Sequence, residues 1–70
     1  MTRNDAVALV YEFVKREESA IRDYMHKNPE HWWRPFEYFW GRTIKAHLTE
    51  QGGSDLADEW VALVEEAMNQ

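Results

Sequence analysis

The sequence predicts a small all-α protein. Two observations carry that expectation: apolar residues recur at helical spacing through most of the chain, and breaks fall at Asn28-Pro29 and Gln51-Gly52-Gly53, dividing it into three helical patterns. At 70 residues the chain has room for one domain, taken as residues 1–70, and 44% hydrophobic and 14% aromatic residues favour folding over disorder. There is no cysteine, so a domain of this size has no disulfide to staple its small core, and a reducing compartment is favoured. Burial against a second copy is the natural substitute.

The first helical pattern runs from about Asp5 to Lys27, with Thr2 or Asn4 able to accept a backbone N–H of the first turn. On a wheel of roughly 100° per residue, Ala6, Val7, Leu9, Val10, Phe13, Val14, Ala20, Ile21, Tyr24 and Met25 gather on one side. The stripe is about 200° wide, more than one neighbour covers. It therefore suggests one surface within the chain and one on a partner copy, with Val7, Val10, Tyr11 and Val14 as the dimer interface. Glu17 falls near the middle of the stripe and Glu18 toward its edge, where a carboxylate needs water, a cation or a hydrogen bond. Pro29 restricts Asn28 and ends the pattern.

After a short connection, Pro35 suits the first turn of a second helix. Phe36, Trp40, Thr43, Ile44, His47 and Leu48 form its inner face, with Phe39 and Ala46 at the margin. Gly41 inside this helix costs roughly 1 kcal/mol against Ala, which close approach of another helix would rationalise and simple tolerance would equally allow. Gln51-Gly52-Gly53 stops the helix, the first glycine being free to turn left-handed.

Ser54 or Asp55 caps the third pattern, whose stripe is Leu56, Ala57, Trp60, Val61, Leu63, Val64, Ala67 and Met68. Glu50 to Gln70 holds six acids and no Lys or Arg, so −6 of the formal −5 lies there and residues 1–49 carry +1. Such a helix cannot be a DNA recognition helix. Either it is a solvated face, or it meets a basic partner such as the DNA-binding domain of a transcription regulator.

Six aromatics stand within nine residues: Trp32, Trp33, Phe36, Tyr38, Phe39 and Trp40. Phe36 and Trp40 read as core, and of Trp32 and Trp33 one is expected inside and one outside. Tyr38 lies roughly opposite Phe36, beside Arg34, Arg42 and Lys45. One aromatic among three cations is the composition of a binding hot spot, so Arg34, Tyr38, Arg42 and Lys45, with Trp33, form the candidate partner-binding set. The rival reading pairs Arg42 and Lys45 with the acidic third helix of a neighbouring copy. Stacking on single-stranded nucleic acid is disfavoured by the acidic balance.

Catalytic and metal chemistry find little support. His26, His31 and His47 have no ligand spacing, the two serines have no evident histidine–acid partners, and Gly52-Gly53 reads as a helix stop, not a phosphate loop. No cofactor is expected. There is neither a signal-peptide pattern nor an apolar run of the roughly 20 residues that a spanning helix needs, so a soluble, cytoplasmic protein without membrane contact is expected.

The length, the helical make-up and the stretch Trp32-Trp33-Arg34-Pro35-Phe36-Glu37-Tyr38-Phe39-Trp40-Gly41-Arg42 resemble small phage-encoded anti-activator proteins, those of Pseudomonas phages above all. The resemblance covers most of the chain and rests on general character, with no defining motif and no family site residue mapped. It implies a helical homodimer in the host bacterial cytoplasm that binds the DNA-binding domain of a LuxR-type quorum-sensing regulator. It also implies a possible second target, such as the assembly ATPase of type IV pili. The function expected is thus a non-enzymatic, protein-binding inhibitor. The alternative is a structural or accessory subunit of a larger assembly, and a nucleic-acid-binding protein ranks below both.

Overall fold

Thr2 starts the first helix as its sequence position predicts. In the computed structural model, which describes residues 1–69, the Asp5 backbone N–H donates to the Thr2 hydroxyl at 3.1 Å and the Thr2 N–H donates to the Asp5 carboxylate at 3.2 Å. This reciprocal capping box satisfies two donors that a helix start leaves without partners. The helix, α1 (Arg3–Val14), then stops much earlier than its pattern implied. Residues 15–19 are Lys-Arg-Glu-Glu-Ser, more than a helical turn with no apolar side chain to anchor it. The backbone tightens there, with Glu17 N–H donating to the Val14 carbonyl at 3.0 Å. A second helix, α2 (Glu18–Lys27), begins immediately after. The break corrects the expected position of Glu17: it occupies the first boundary of α2 in the open, and no buried carboxylate has to be compensated.

Asn28 is extended before Pro29, as expected. A succession of turns leads to a 3₁₀ turn (Arg34–Phe36), a π-helical turn (Glu37–Gly41) and helix α3 (Arg42–Glu50). The glycine stop after α3 is a Schellman motif. Gly52 is left-handed at φ 84°, Gly53 N–H donates to the Leu48 carbonyl at 2.7 Å, and Gly52 N–H to that of Thr49 at 3.1 Å. The third pattern is split as well, into α4 (Ser54–Ala57) and α5 (Trp60–Met68). Gly53 stands at the boundary of α4 without a side-chain cap, so neither Ser54 nor Asp55 caps it. The described residues contain no strand and form five α-helices where three were expected.

The core forms where α1 lies along α5, while α3 packs chiefly on α4 and more lightly on α1. Ala6, Val7, Val10 and Val14 of α1 meet Trp60, Leu63, Val64, Ala67 and Met68 of α5, with Ile21, Ile44, Leu48 and Trp32 completing one cluster. Its radius of gyration of 11.2 Å is what a compact chain of this length gives, about 11 Å. At the rim, Arg3 reaches Glu59 at 3.1 Å and Glu66 at 2.7 Å, tying α1 to both ends of α5 through exposed ion pairs.

Among the described residues the capping box is one of two places where a carboxyl is depressed in the fold, the other being Glu12 beside Lys15. Hydrogen bonds from the Thr2 backbone and hydroxyl hold the Asp5 carboxyl below its ordinary value of 3.8. A carboxyl depressed on folding stabilises above the unfolded-state value, and that stability is lost as pH falls through the folded one. Thermal melts between pH 6 and 3 should therefore show a decline below about pH 4 that Asp5→Asn reduces. An unchanged pH profile in that variant would remove the box from the account.

Candidate functional site

The aromatic segment divides into an inner and an outer group. Phe36 is the inner hub: its ring meets Tyr24 edge-on at 5.2 Å, Trp40 at 5.5 Å and Trp32 at 6.3 Å. Trp32 is buried at 2% exposure, while Trp33 is half-buried with its ring edge-on to His31 at 6.1 Å. The expected division of the two tryptophans is found only in part: Trp32 is inside, but Trp33 packs against the core and does not stand outside it.

The outer group is Tyr38 and Phe39, at 76% and 78% exposure the most open large hydrophobic side chains among the described residues. Tyr38 is exposed, as the wheel predicts. Phe39 departs from the wheel: it was expected at the margin of the inner face. The π-helical turn is the reason, because an i→i+5 turn is wider than an α-turn and rotates Phe39 further from Phe36. The same turn ends on Gly41, which is buried with its backbone against Trp60. A Cβ there would stand 3.0 Å from Trp60 Cζ2 and 3.2 Å from Cε2. Close helix approach, and not tolerance, accounts for that glycine. Widened turns of this kind recur at functional sites, and here one presents two adjacent rings to solvent.

Arg34, Arg42 and Lys45 stand at positions −4, +4 and +7 from Tyr38 in the chain. Arg34 and Arg42 are exposed, while Lys45 is half-buried and its carbonyl accepts the Thr49 hydroxyl at 2.8 Å. Among the described residues these three cations form no ion pair. Arg3, Lys15, Arg22 and Lys27, by contrast, are each paired within the chain. The candidate partner-binding set is thus Tyr38 with Arg34, Arg42 and Lys45, joined by Phe39 and bordered by the half-buried Trp33.

The expected dimer interface is corrected. Val7, Val10 and Val14 are buried within the chain, chiefly by α5, and have no free surface to offer. Only Tyr11, 41% exposed, remains outside. The breadth of the stripe is consumed by α5 on one flank and α3 on the other. Thr43 and His47, placed on the inner face of the second helix, are exposed.

His47 instead lies with its ring 5.2 Å from that of Phe13, beside an open groove of about 270 Å³ lined also by Glu12 and Arg16. The groove has no buried polar atom left without a partner. Among the described residues no group of three or more His, Asp or Glu could hold a metal ion, and no helix is long and apolar enough to cross a membrane. On the acidic side, Glu59 and Glu66 are occupied by Arg3, whereas Glu50, Asp55, Asp58 and Glu65 are exposed and make no ion pair among the described residues.

No protein-family model, curated protein or solved structure matches the chain.

Proposed function

We propose that the chain is a non-enzymatic inhibitor that acts by seating the Tyr38–Phe39 face on a larger protein. The supporting observation is the exposure of both rings, 76% and 78%, beside three cations without ion pairs. Aromatic side chains held outside a core that has room for their neighbours lose apolar burial, and Tyr and Arg are the residue types that dominate interface energetics. Following the sequence resemblance, the first partner to test is the DNA-binding domain of a LuxR-type quorum-sensing regulator, and the second a pilus-assembly ATPase. The cytoplasm, where both reside, is part of the same proposal.

The homodimer has lost its main support, since α1 is covered within the chain, and the reading does not require it. The rival reading as an accessory subunit relied on uncovered apolar stripes, which are likewise closed in this fold.

The experiment is displacement of a purified regulator DNA-binding domain from its operator, followed by gel mobility shift. Wild-type protein is expected to release the DNA, and Tyr38→Ala to need at least about 30-fold more protein, the effect of losing a hot-spot side chain worth 2 kcal/mol. Circular dichroism should show that Tyr38→Ala keeps the helical fold, because the ring is outside the core. The inhibitor reading is overturned if the wild type captures neither the regulator nor the ATPase. Equal potency of both proteins would take Tyr38 out of it.

A further inference from the structure

The partition of charge on the molecule goes beyond the presence of a binding face and specifies what fits it. Of the eight cations, four are paired internally and a fifth, Arg16, borders the groove beside His47. The remaining three, Arg34, Arg42 and Lys45, lie within twelve consecutive residues that also contain Tyr38 and Phe39. From His31 to Thr49 the single acid is Glu37, so this stretch carries +2 while the rest of the chain carries −7. The segment that carries the two exposed rings is thus net cationic in a chain that is otherwise net anionic.

Resting on the reading that this face binds a protein, we propose that the element seated on it is an acidic segment with apolar anchor residues. Unpaired guanidinium and ammonium groups complement carboxylates, Arg doing so with two parallel hydrogen bonds where geometry allows. Tyr38 and Phe39 supply the area that apolar anchors bury. A basic element would be repelled here and drawn to Asp55, Asp58 and Glu65, whereas an acidic one is repelled by the body and admitted only at this segment. Electrostatics therefore fixes orientation as well as attraction. A nucleic-acid strand offers the same negative charge, but a long polyanion would overlap the anionic body and meet only three cations. The consequence for inhibition is specific. The Tyr38–Phe39 face addresses an acidic flank of its target and does not lie directly over a basic DNA-contacting helix.

The test is titration calorimetry of the full chain with two synthetic peptides. They share one tryptophan–leucine core, flanked by glutamates in one and by lysines in the other. The acidic peptide is expected to bind at least about tenfold more tightly than its basic twin, a difference of about 1.4 kcal/mol. That preference should shrink as salt is raised, since Arg34 and Arg42 are exposed, and the double variant Arg42→Glu/Lys45→Glu should reverse it. Equal affinity for the two peptides, binding of neither, or tighter binding of a single-stranded oligonucleotide overturns the proposal. Its failure is distinguishable from that of the inhibitor reading. Displacement of a regulator that depends on Tyr38, with no preference between the peptides, leaves inhibition standing and removes the acidic partner. Preference for the acidic peptide without capture of any regulator does the reverse.

Discussion

Trp60→Ala is expected to leave little folded protein at room temperature. Trp60 is the first residue of α5, 4% exposed, and its ring covers the backbone of Gly41 across the core. Truncating a buried Trp costs about 3–5 kcal/mol in lost burial and residual cavity. The total stability of a 70-residue domain is on the order of 4–10 kcal/mol, so the loss is comparable to the whole. The cavity would open beneath the π-helical turn, so partial collapse there would also disturb Tyr38 and Phe39. Urea melts followed by circular dichroism check the expectation. Trp33→Ala is the control, because that ring is half-buried and its loss should cost less. A Trp60→Ala midpoint within about 1 kcal/mol of wild type, the effect of an ordinary point substitution, would show that the α5–Gly41 contact does not hold the core together.

How much of this fold could be read in the chain depends on the range of the interactions that decide each feature. The start at Thr2, the end at Asn28-Pro29 and the stop at Gly52 are settled by side chains and dihedral preferences within a few residues, and each was legible. The break after Val14 was also written locally, in five polar residues that interrupt the stripe, but a wheel drawn through them hides it. The break at Asp58–Glu59 has no such mark. Leu56, Ala57, Trp60, Leu63 and Val64 keep helical spacing straight through it, so apolar periodicity alone gives one helix. The width of the α1 stripe was legible, but not its cover: a wheel shows that Val7, Val10 and Val14 need burial and says nothing of whether α5 or a second copy provides it. At the candidate site, the exposure of Tyr38 followed from helical phase. Phe39 escaped because that phase assumes an α-turn, and the π-helical turn displaces it. The signal available was Gly41 directly after a run of aromatics, which demanded a close neighbour without saying that the preceding turn would widen.

Gly41→Leu is the second large effect, and it tests the link between core and binding face. Even the Cβ of alanine at this position would stand 3.0 Å from Trp60 Cζ2 and 3.2 Å from Cε2, tighter than ordinary contact. The indole is rigid and buried, so it cannot yield as a flexible side-chain end would. Alanine sets this crowding against a helix-propensity gain of roughly 1 kcal/mol, whereas leucine adds further carbons to the same space. Overpacking of this kind costs about 1–3 kcal/mol. The strain falls on the last residue of the turn that presents Tyr38 and Phe39, so partner binding should weaken together with stability, although neither ring is replaced. Trp60→Phe supplies the decisive background, because phenylalanine lacks the outer ring of the indole to which the three nearest atoms belong. In a double-mutant cycle the cost of Gly41→Leu should fall by about 1 kcal/mol or more when Trp60 is Phe, as coupling between touching side chains requires. Gly41→Ala should change sign in that background and become stabilising, since only the propensity gain is left. Additive costs in the cycle would mean that the glycine serves the backbone of the widened turn itself, and that Trp60 is a bystander to the geometry of the face.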